Sequence, residues 1–244
     1  MAPRRRILLA AGVIAAAAVA VYWNSLAGPF VFDDQPTIVS NPSIRHLWPL
    51  GHVLWPPSDS GGASGRPLLN LSLALNFAAG GLDVRGYHAV NLLLHALVAL
   101  VLFGVVRRTL AALPAPGWRA SSLRVAFTAA LLWTVHPLLT ESVTGIVNRA
   151  ELLAALAFLL TFYGFIRAAE GTTGPRTTDH ETAGQISPVV GGPWSGGREF
   201  HRSWGWYGLS VAACVLGMAS KEWMVSAPLL VLLYDRTFVA GGFR

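Results

Sequence analysis

The chain has 244 residues, of which 53% are hydrophobic and only 12% are charged. Soluble domains carry about 25% charged residues, so this composition excludes a soluble globular protein over most of the length. The net charge of +6 does not indicate nucleic-acid binding, because the arginines fall between long apolar blocks and form no basic stripe interleaved with aromatic residues. We therefore predict an all-α, polytopic integral membrane protein with about six transmembrane helices.

The first predicted span covers residues 1–23 and opens with three consecutive arginines. Ser25 and Ala27, two small residues with one residue between them, also fit the cleavage site of a signal peptide, but a retained helix is favoured because a polytopic chain has no need to lose it. Residues 24–86 follow as a long outer loop rich in Pro, Gly, Ser and Trp. Within this loop, residues 67–79 are apolar at helical spacing, which predicts a helix that lies in the membrane interface or dips into the protein.

Five further spans are predicted beyond the outer loop. Residues 87–167 hold spans two to four. Pro137 interrupts span three near its outer end. Residues 168–203 are rich in Gly, Thr and Pro, which predicts a flexible cytoplasmic linker. Residues 204–244 hold the fifth and sixth spans, separated by a short charged break.

The positive charges indicate how these spans are oriented. If the spans alternate from a cytoplasmic N-terminus, only five of the 18 Lys and Arg residues fall outside, which leaves thirteen inside. The five outer ones are Arg45, Arg66, Arg85, Arg149 and Lys221. This bias agrees with the positive-inside rule, and the opposite orientation would violate it.

In this topology the outer face gathers an unusual set of ionisable side chains from four separate turns. They are Asp33, Asp34, His136, Glu141, Arg149, Glu151, Lys221 and Glu222. Ionisable residues near a bilayer are energetically costly and usually mark either a functional site or a pairing of charges. Pairing between helix ends explains any one of them, whereas the convergence of acids, a histidine and two cations favours a site.

The combination of acids and cations is typical of one kind of chemistry. A carboxylate can take a proton from an attacking hydroxyl group, and Arg or Lys can hold a phosphate. This predicts sugar transfer from a lipid phosphate, with Arg149 and Lys221 contacting the phosphate of the donor. The adjacent acids Asp33 and Asp34 also suit a divalent metal ion, although one Asp-Asp pair is weak evidence and no cofactor is certain.

Seven short runs occur in a characteristic order along the chain. They are GPFVFDD (28–34), GRPLLN (65–70), YHAVN (87–91), HPLLTE (136–141), NRAE (148–151), MASKE (218–222) and YDRT (234–237). Together they resemble the N-terminal membrane part of the transmembrane and tetratricopeptide-repeat-containing proteins. That group is similar to the protein O-mannosyltransferases of the GT-C superfamily. The resemblance covers nearly the whole chain apart from residues 168–203.

The resemblance implies a GT-C-like membrane glycosyltransferase. Its donor is a polyprenyl or dolichyl phosphate sugar, its acceptor is a protein hydroxyl group on the outer or luminal face, and its catalytic acid is Asp33 or Asp34. Arg66 lies within one of the matching runs and joins the predicted substrate-binding residues, which are Arg149, Lys221, His136, Glu141, Glu151, Glu222 and Arg66. The Ala- and Arg-rich composition favours a bacterial inner membrane, whereas a eukaryotic relative would lie in the endoplasmic reticulum membrane.

Two other functions are open at this stage. A non-enzymatic membrane anchor or assembly module of a tetratricopeptide-repeat protein would not need the acids. A transporter would place its ionisable residues near the middle of the membrane on broken helices, whereas here they lie at the ends of spans. Members of the resembling family continue into further spans and repeats, and this chain reaches Arg244 without a repeat, so we expect an N-terminal fragment or a reduced protein.

Three polar residues in apolar surroundings are predicted to pack and not to bind ligands. Asn91 and His95 are four residues apart on the second span and share a face, which predicts hydrogen bonds between helices. Asn70 begins an Asn-Leu-Ser sequence of the kind that accepts N-glycans, but its apolar neighbours predict a role in packing or in capping a loop.

Overall fold

The computed structural model describes residues 3–172 and 197–240, and within these ranges every regular element is helical. The α-helices are α1 (Pro3–Tyr22), α2 (Leu50–Leu54), α3 (Pro67–Gly80), α4 (Val84–Ala112), α5 (Pro116–Thr134), α6 (Thr140–Thr144), α7 (Arg149–Thr172), α8 (Gly197–Met218) and α9 (Ala227–Tyr234). Short 3₁₀ or π segments lie at Trp23–Ala27, Gln35–Val39, Pro42–Ile44, Gly61–Ala63, Pro137–Leu139, Glu222–Ser226 and Asp235–Val239. The predicted all-α class is confirmed for this part of the chain.

Three of these helices are long and apolar enough to cross a membrane: α1 with its continuation to Ala27, α4 and α7. A fourth candidate is α5 combined with Pro137–Thr144, a pair that bends by 53°. The bend lies at Pro137, where the sequence predicted an interruption, because proline cannot continue the backbone hydrogen bonding of a helix. Helices α8 and α9 occupy the positions of the fifth and sixth predicted spans, but neither is among the helices that meet these requirements in the described residues. The count of six spans stays a prediction.

Helix α7 packs against both α4 and α8, and α4 packs in turn against α1 and α5. Gly164 allows α7 and α8 to approach closely, because a Cβ atom at this position would lie 2.9 Å from the Trp206 carbonyl oxygen and 3.0 Å from the Ser210 nitrogen. At the same crossing, the Ser210 hydroxyl donates a hydrogen bond of 2.8 Å to the carbonyl oxygen of Thr161. Small residues and hydroxyl groups are the usual means by which membrane helices associate.

The residues predicted as the long outer loop are folded against this bundle. Their short helices share a hydrophobic core with α4 and α7, formed by Ile38, Ile44, Val53, Leu69, Leu73, Ala74, Tyr87, Ile146 and Ala150. Helix α3 covers the stretch 67–79 that was predicted to be helical. Residues 24–83 therefore form a packed segment, which we call the 24–83 segment, and burial of its apolar side chains provides its main stabilisation.

Buried amide and imidazole side chains form hydrogen bonds within the 24–83 segment and, separately, between neighbouring parts of the bundle. Asn70 is fully buried and donates to the Ser43 hydroxyl and the Val53 carbonyl oxygen at 2.9 and 2.7 Å, which confirms its packing role. Asn91 donates to backbone carbonyl groups of residues 143–146, and His95 Nε2 lies 2.9 Å from the Thr134 carbonyl oxygen. The predicted interhelix bonds of Asn91 and His95 are thus confirmed.

The predicted linker at residues 168–203 lies mostly outside the described residues. At its two ends the chain is helical, because α7 continues to Thr172 and α8 begins at Gly197. The remaining residues of the predicted linker, 173–196, lie outside the part that the structure describes.

Candidate functional site

Asp34 attaches the 24–83 segment to the residues that precede α7. Its Oδ2 atom accepts a hydrogen bond from the Val31 N–H at 3.0 Å, and its Oδ1 atom accepts one from the Val147 N–H at 3.1 Å. The side chain is only 3% exposed. Hydrogen bonds to an ionised carboxylate are stronger than neutral ones, so Asp34 fixes its own loop and residue 147 relative to each other.

Burial raises the pKa of the Asp34 carboxyl above its ordinary value of 3.8, and the neighbouring charge of Asp33 acts in the same direction. The backbone bonds from Val31 and Val147 and the nearby His88 lower the pKa, but they do not fully offset the loss of solvation. Removal from water penalises the charged form of an acid. The Asp34 carboxyl therefore binds a proton more readily than a carboxyl in water.

Asp33 has the opposite environment. Its side chain is exposed, and its carboxylate accepts no hydrogen bond from any residue that the structure describes. The preceding residue, Phe32, is 90% exposed and adopts a φ of 46°, a left-handed conformation that is strained for a bulky side chain. This local turn directs Phe32 and Asp33 outward while Asp34 is turned inward. The two predicted catalytic acids are therefore different: one is anchored and the other is accessible.

Arg149, predicted to contact a donor phosphate, is completely buried at the start of α7. Its Nε donates to Asn91 Oδ1 at 2.8 Å, and its Nη2 donates to the Tyr87 carbonyl oxygen at 2.9 Å. Its Nη1 donates to Asn76 Oδ1 at 2.7 Å and to the Ser72 carbonyl oxygen at 3.2 Å. Every nitrogen of the guanidinium group thus donates to a protein acceptor on α3 or α4, so Arg149 connects three helices.

A surface cavity of about 340 Å³ opens beside these residues. It is lined by Trp133, Leu139, Glu141, Ser142, Asn148, Glu151, Leu152, Ala155 and Trp223. The carboxylate, amide and hydroxyl groups in this set can hydrogen-bond to a polar ligand, and the two indole rings can cover its apolar faces. Asn148 is the residue directly after Val147, so the cavity lies next to the attachment point of the Asp34 loop.

Lys221 and Glu151 form an ion pair at the edge of the cavity. Lys221 Nζ lies 2.7 Å from Glu151 Oε1, and the indole N–H of Trp223 donates to Glu151 Oε2 at 3.3 Å. The side chain of Glu151 is 40% exposed and that of Lys221 is 19% exposed. This pair joins the start of α7 to the turn after α8, and it places a cation within reach of a ligand in the cavity.

The remaining predicted residues have different positions. Glu141 lines the cavity, whereas His136 is exposed and its Nδ1 atom accepts the N–H of Leu138, which caps the turn after α5. Arg66 donates to the Gly62 carbonyl oxygen at 3.1 Å. Glu222 is exposed at the start of its 3₁₀ turn.

The beginning of α3 lies close to the end of α8. The Leu68 N–H donates to the carbonyl oxygen of Ala219 at 3.4 Å, and Arg66 and Lys221 each lie two residues from this contact. The structure therefore brings Glu141, Glu151 and Lys221 together around one cavity and places Arg66 on the same side.

Sequence reasoning did not identify the acceptors that hold Arg149 or the aromatic walls of the cavity. Asn76 and Ser72 lie in an apolar helix, where a polar side chain usually makes an internal hydrogen bond. This pattern could have indicated them as acceptors for a buried side chain. A metal site was also considered at the Asp pair. In residues 3–172 and 197–240, no group of three or more His, Cys, Asp or Glu side chains could hold a metal ion.

Comparison with known proteins found related sequences but no matching family model and no matching solved structure. The chain is 36% identical over 193 residues to mouse protein O-mannosyl-transferase TMTC1, a match that covers 76% of this chain and 19% of the relative. It is 38% identical over 172 residues to human protein O-mannosyl-transferase TMTC4, covering 64% of this chain and 22% of that protein.

A third relative is protein O-mannosyl-transferase Tmtc3 of Drosophila melanogaster, 36% identical over 192 residues, with 72% of this chain and 21% of the relative covered. The chain thus spans about a fifth of the length of the curated relatives it matches. The predicted resemblance to the transmembrane and tetratricopeptide-repeat-containing proteins is confirmed.

Proposed function

We propose that this chain, a relative of the N-terminal part of the TMTC protein O-mannosyl-transferases, is a membrane glycosyltransferase segment of GT-C type. It would move a sugar from a polyprenyl or dolichyl phosphate donor to a protein hydroxyl group at the outer or luminal face. The relatives carry the name of mannosyl-transferases, so mannose is the first sugar to test. The observation that carries the proposal is the exposed acid Asp33, held by the anchored Asp34 beside a cavity with polar and aromatic walls.

The proposed reaction assigns one role to each group. The Asp33 carboxylate takes the proton of the acceptor hydroxyl as its oxygen attacks the anomeric carbon of the sugar. The bond from that carbon to the phosphate oxygen breaks, and the lipid phosphate leaves with the electron pair. Lys221 lies at the edge of the cavity and stabilises the negative charge of the phosphate, with Arg66 as the second cation.

The geometry supports a different role for Arg149 from that of Lys221. A guanidinium group whose nitrogens already donate to Asn91, Asn76 and the Tyr87 carbonyl oxygen has no free face for a phosphate. We therefore assign Arg149 a positioning role: it holds α3 and α4 at the start of α7. Asp34 is likewise a positioning residue, because it fixes the loop that carries Asp33.

The proposed topology follows the arginine and lysine distribution, with six spans, the 24–83 segment outside and residues 168–203 in the cytoplasm. A bacterial inner membrane, or an endoplasmic reticulum membrane for a eukaryotic protein, would contain the lipid-linked donor.

An impermeant thiol reagent applied to intact cells tests the orientation, with Cys214 replaced and a Ser58→Cys variant that presents an exposed position of the 24–83 segment. Absence of labelling at Ser58→Cys, with labelling at Ser187→Cys, would reverse the model.

The central experiment compares Asp33→Asn with Asp34→Asn in sugar transfer from dolichyl phosphate mannose to an acceptor peptide. Loss of a general base lowers the rate by about 10²- to 10⁴-fold, and we expect this for Asp33→Asn with unchanged thermal stability. Asp59→Asn is the matched control, because it neutralises another exposed acid of the same segment. Wild-type turnover in the Asp33 variant would remove this residue from catalysis and favour the anchor function.

A further inference from the structure

The ends of α4 and α7 that lie away from the candidate site carry three arginines around one acid of the described residues, Glu170. The Nη1 atom of Arg108 donates to Glu170 Oε2 at 2.5 Å, and Nη1 of Arg167 lies 3.7 Å from the same oxygen. Arg107 lies within electrostatic reach of all three of these side chains. We call Arg107, Arg108 and Arg167 the arginine cluster. Its three positive charges face one negative charge, which leaves an excess of two.

These charges are partly buried without being fully compensated. The Nε atoms of all three arginines are buried and have no hydrogen-bond partner in the part of the chain that the structure describes. The Arg108 and Arg167 side chains are only 16% and 20% exposed. Buried cations are normally paired and fully hydrogen-bonded, so among the described residues this arrangement has room for a further anion.

Aromatic rings form part of the wall of the same region. The Arg108 guanidinium carbon lies 5.3 Å from the ring centre of Tyr163, and that of Arg167 lies 4.8 Å from the ring centre of Trp206. Cation–π contacts of this kind stabilise the cations without neutralising them. Trp and Tyr also favour the level of lipid headgroups, which places the cluster at the surface of the membrane.

We propose that the arginine cluster binds the phosphate headgroup of an anionic phospholipid. A guanidinium group matches phosphate oxygens with two parallel N–H donors, and basic pockets between membrane helices are known to bind such headgroups. The orientation favoured by the positive charges places the cluster in the cytoplasmic leaflet, which carries the anionic lipids. The ligand is therefore a phospholipid of the surrounding membrane.

This site is separate from the proposed donor site. Arg149 and Arg167 lie at opposite ends of α7, and 18 residues of helix span about 27 Å. A phosphate held by Lys221 therefore cannot reach the arginine cluster. The lipid site is tested independently of the glycosyltransferase proposal, because its test requires no sugar transfer.

The test measures lipid binding to the purified full chain in a neutral detergent by native mass spectrometry. Phosphatidylglycerol, phosphatidylcholine and soluble glycerol phosphate are titrated separately. We expect phosphatidylglycerol to bind more tightly than the other two, and Arg107→Gln and Arg167→Gln each to weaken it about fivefold, the effect of one basic residue near a charged membrane surface. Glu170→Gln should strengthen binding, because it removes an acid that pairs with Arg108 and competes with the lipid phosphate.

Two comparisons separate this site from a general effect of positive charge. Arg124→Gln removes an exposed arginine from α5 and should leave phosphatidylglycerol binding unchanged. If an arginine variant fails to fold, Glu170→Gln still tests the lipid site. If the ion pair between Arg108 and Glu170 were purely structural, this variant would show no gain in lipid binding. Equal binding of phosphatidylcholine, equal binding of glycerol phosphate, or an equal loss in Arg124→Gln would overturn the proposal.

Discussion

The backbone N–H of Val147 donates a hydrogen bond to the carboxylate of Asp34 across 113 residues of sequence. Val147 lies just before α7, and Asp34 lies just after the first span. This single bond therefore sets the position of the loop that carries Asp33 relative to the cavity beside Asn148. The arrangement separates two tasks between adjacent acids: Asp34 fixes the geometry, and Asp33 remains accessible to an acceptor.

Replacement of Asp34 by alanine should release this loop. The N–H groups of Val31 and Val147 would lose their acceptor, and the bond from Val147 is buried, where an unpaired group costs about 1–3 kcal/mol. We expect a lower melting temperature in detergent and faster proteolysis within residues 24–83. Asp34→Asn keeps one acceptor oxygen and should lose less stability, while Asp33→Ala should lose none. Equal stability of Asp34→Ala and the wild type would show that the bond does not hold the loop.

The raised pKa of Asp34 also predicts a dependence of stability on pH. The native protein binds this proton more tightly than the unfolded chain, so the stabilisation is fully present below pH 3.8 and is lost as the pH rises through the native pKa of Asp34. Asp34→Asn cannot titrate, and its melting temperature should lack this component. Parallel melting curves against pH for the two proteins would contradict the prediction, since all other acids are shared.

Arg149 should be more important for folding than for binding. Arg149→Met keeps much of the side-chain volume but leaves the acceptors on the half-buried Asn76 and the buried Asn91 unpaired, and a buried unpaired group such as Asn91 costs about 1–3 kcal/mol. Arg149→Lys keeps the charge but loses the fork geometry, so an intermediate loss is expected. The measurement is the fraction of monomeric protein after purification, together with its melting temperature.

Arg85 provides the matched control for that experiment because its side chain is exposed at the start of α4. Arg85→Met should keep the wild-type yield and melting temperature. A stable Arg149→Met protein that binds the lipid-phosphate donor poorly would instead assign Arg149 to the phosphate, as the sequence alone predicted.

The ion pair between Lys221 and Glu151 should contribute little to stability and more to donor binding. Glu151 is 40% exposed, and exposed pairs contribute about 0–1 kcal/mol. Lys221→Ala should weaken binding of a short-chain polyprenyl phosphate, whereas Glu151→Gln should strengthen it by releasing the cation. Binding measured by calorimetry in detergent tests both signs. A loss of affinity in both variants would mean that the pair acts only as a structural contact.

The sequence predicted the helices well because their signals are local. The apolar stretch 67–79, the interruption at Pro137 and the shared face of Asn91 and His95 all follow from periodicity or from the chemistry of one residue. The environment of Arg149 was not predictable in the same way. Its place at the end of a span indicated exposure to a ligand, but its acceptors lie 58 to 77 residues away in sequence, and only tertiary packing brings them together.

The same limit applies to the acidic pair. Adjacent aspartates are equivalent in sequence, and their separation into a buried and an exposed carboxyl depends on the left-handed turn at Phe32 and on the distant Val147. Similarly, the Pro and Gly content of residues 24–86 predicted a loop, whereas a hydrophobic core shared with Tyr87 and Ile146 folds this segment onto the bundle.

The order of residues around Arg149 has a consequence for biosynthesis. All of its acceptors, at positions 72, 76, 87 and 91, precede it in the chain. A ribosome synthesises about 5–20 residues per second from the N-terminus, so α3 and α4 leave the ribosome several seconds before α7. Arg149, which is completely buried, therefore enters the membrane only after all of its acceptors have been synthesised, and it need not wait unpaired in lipid.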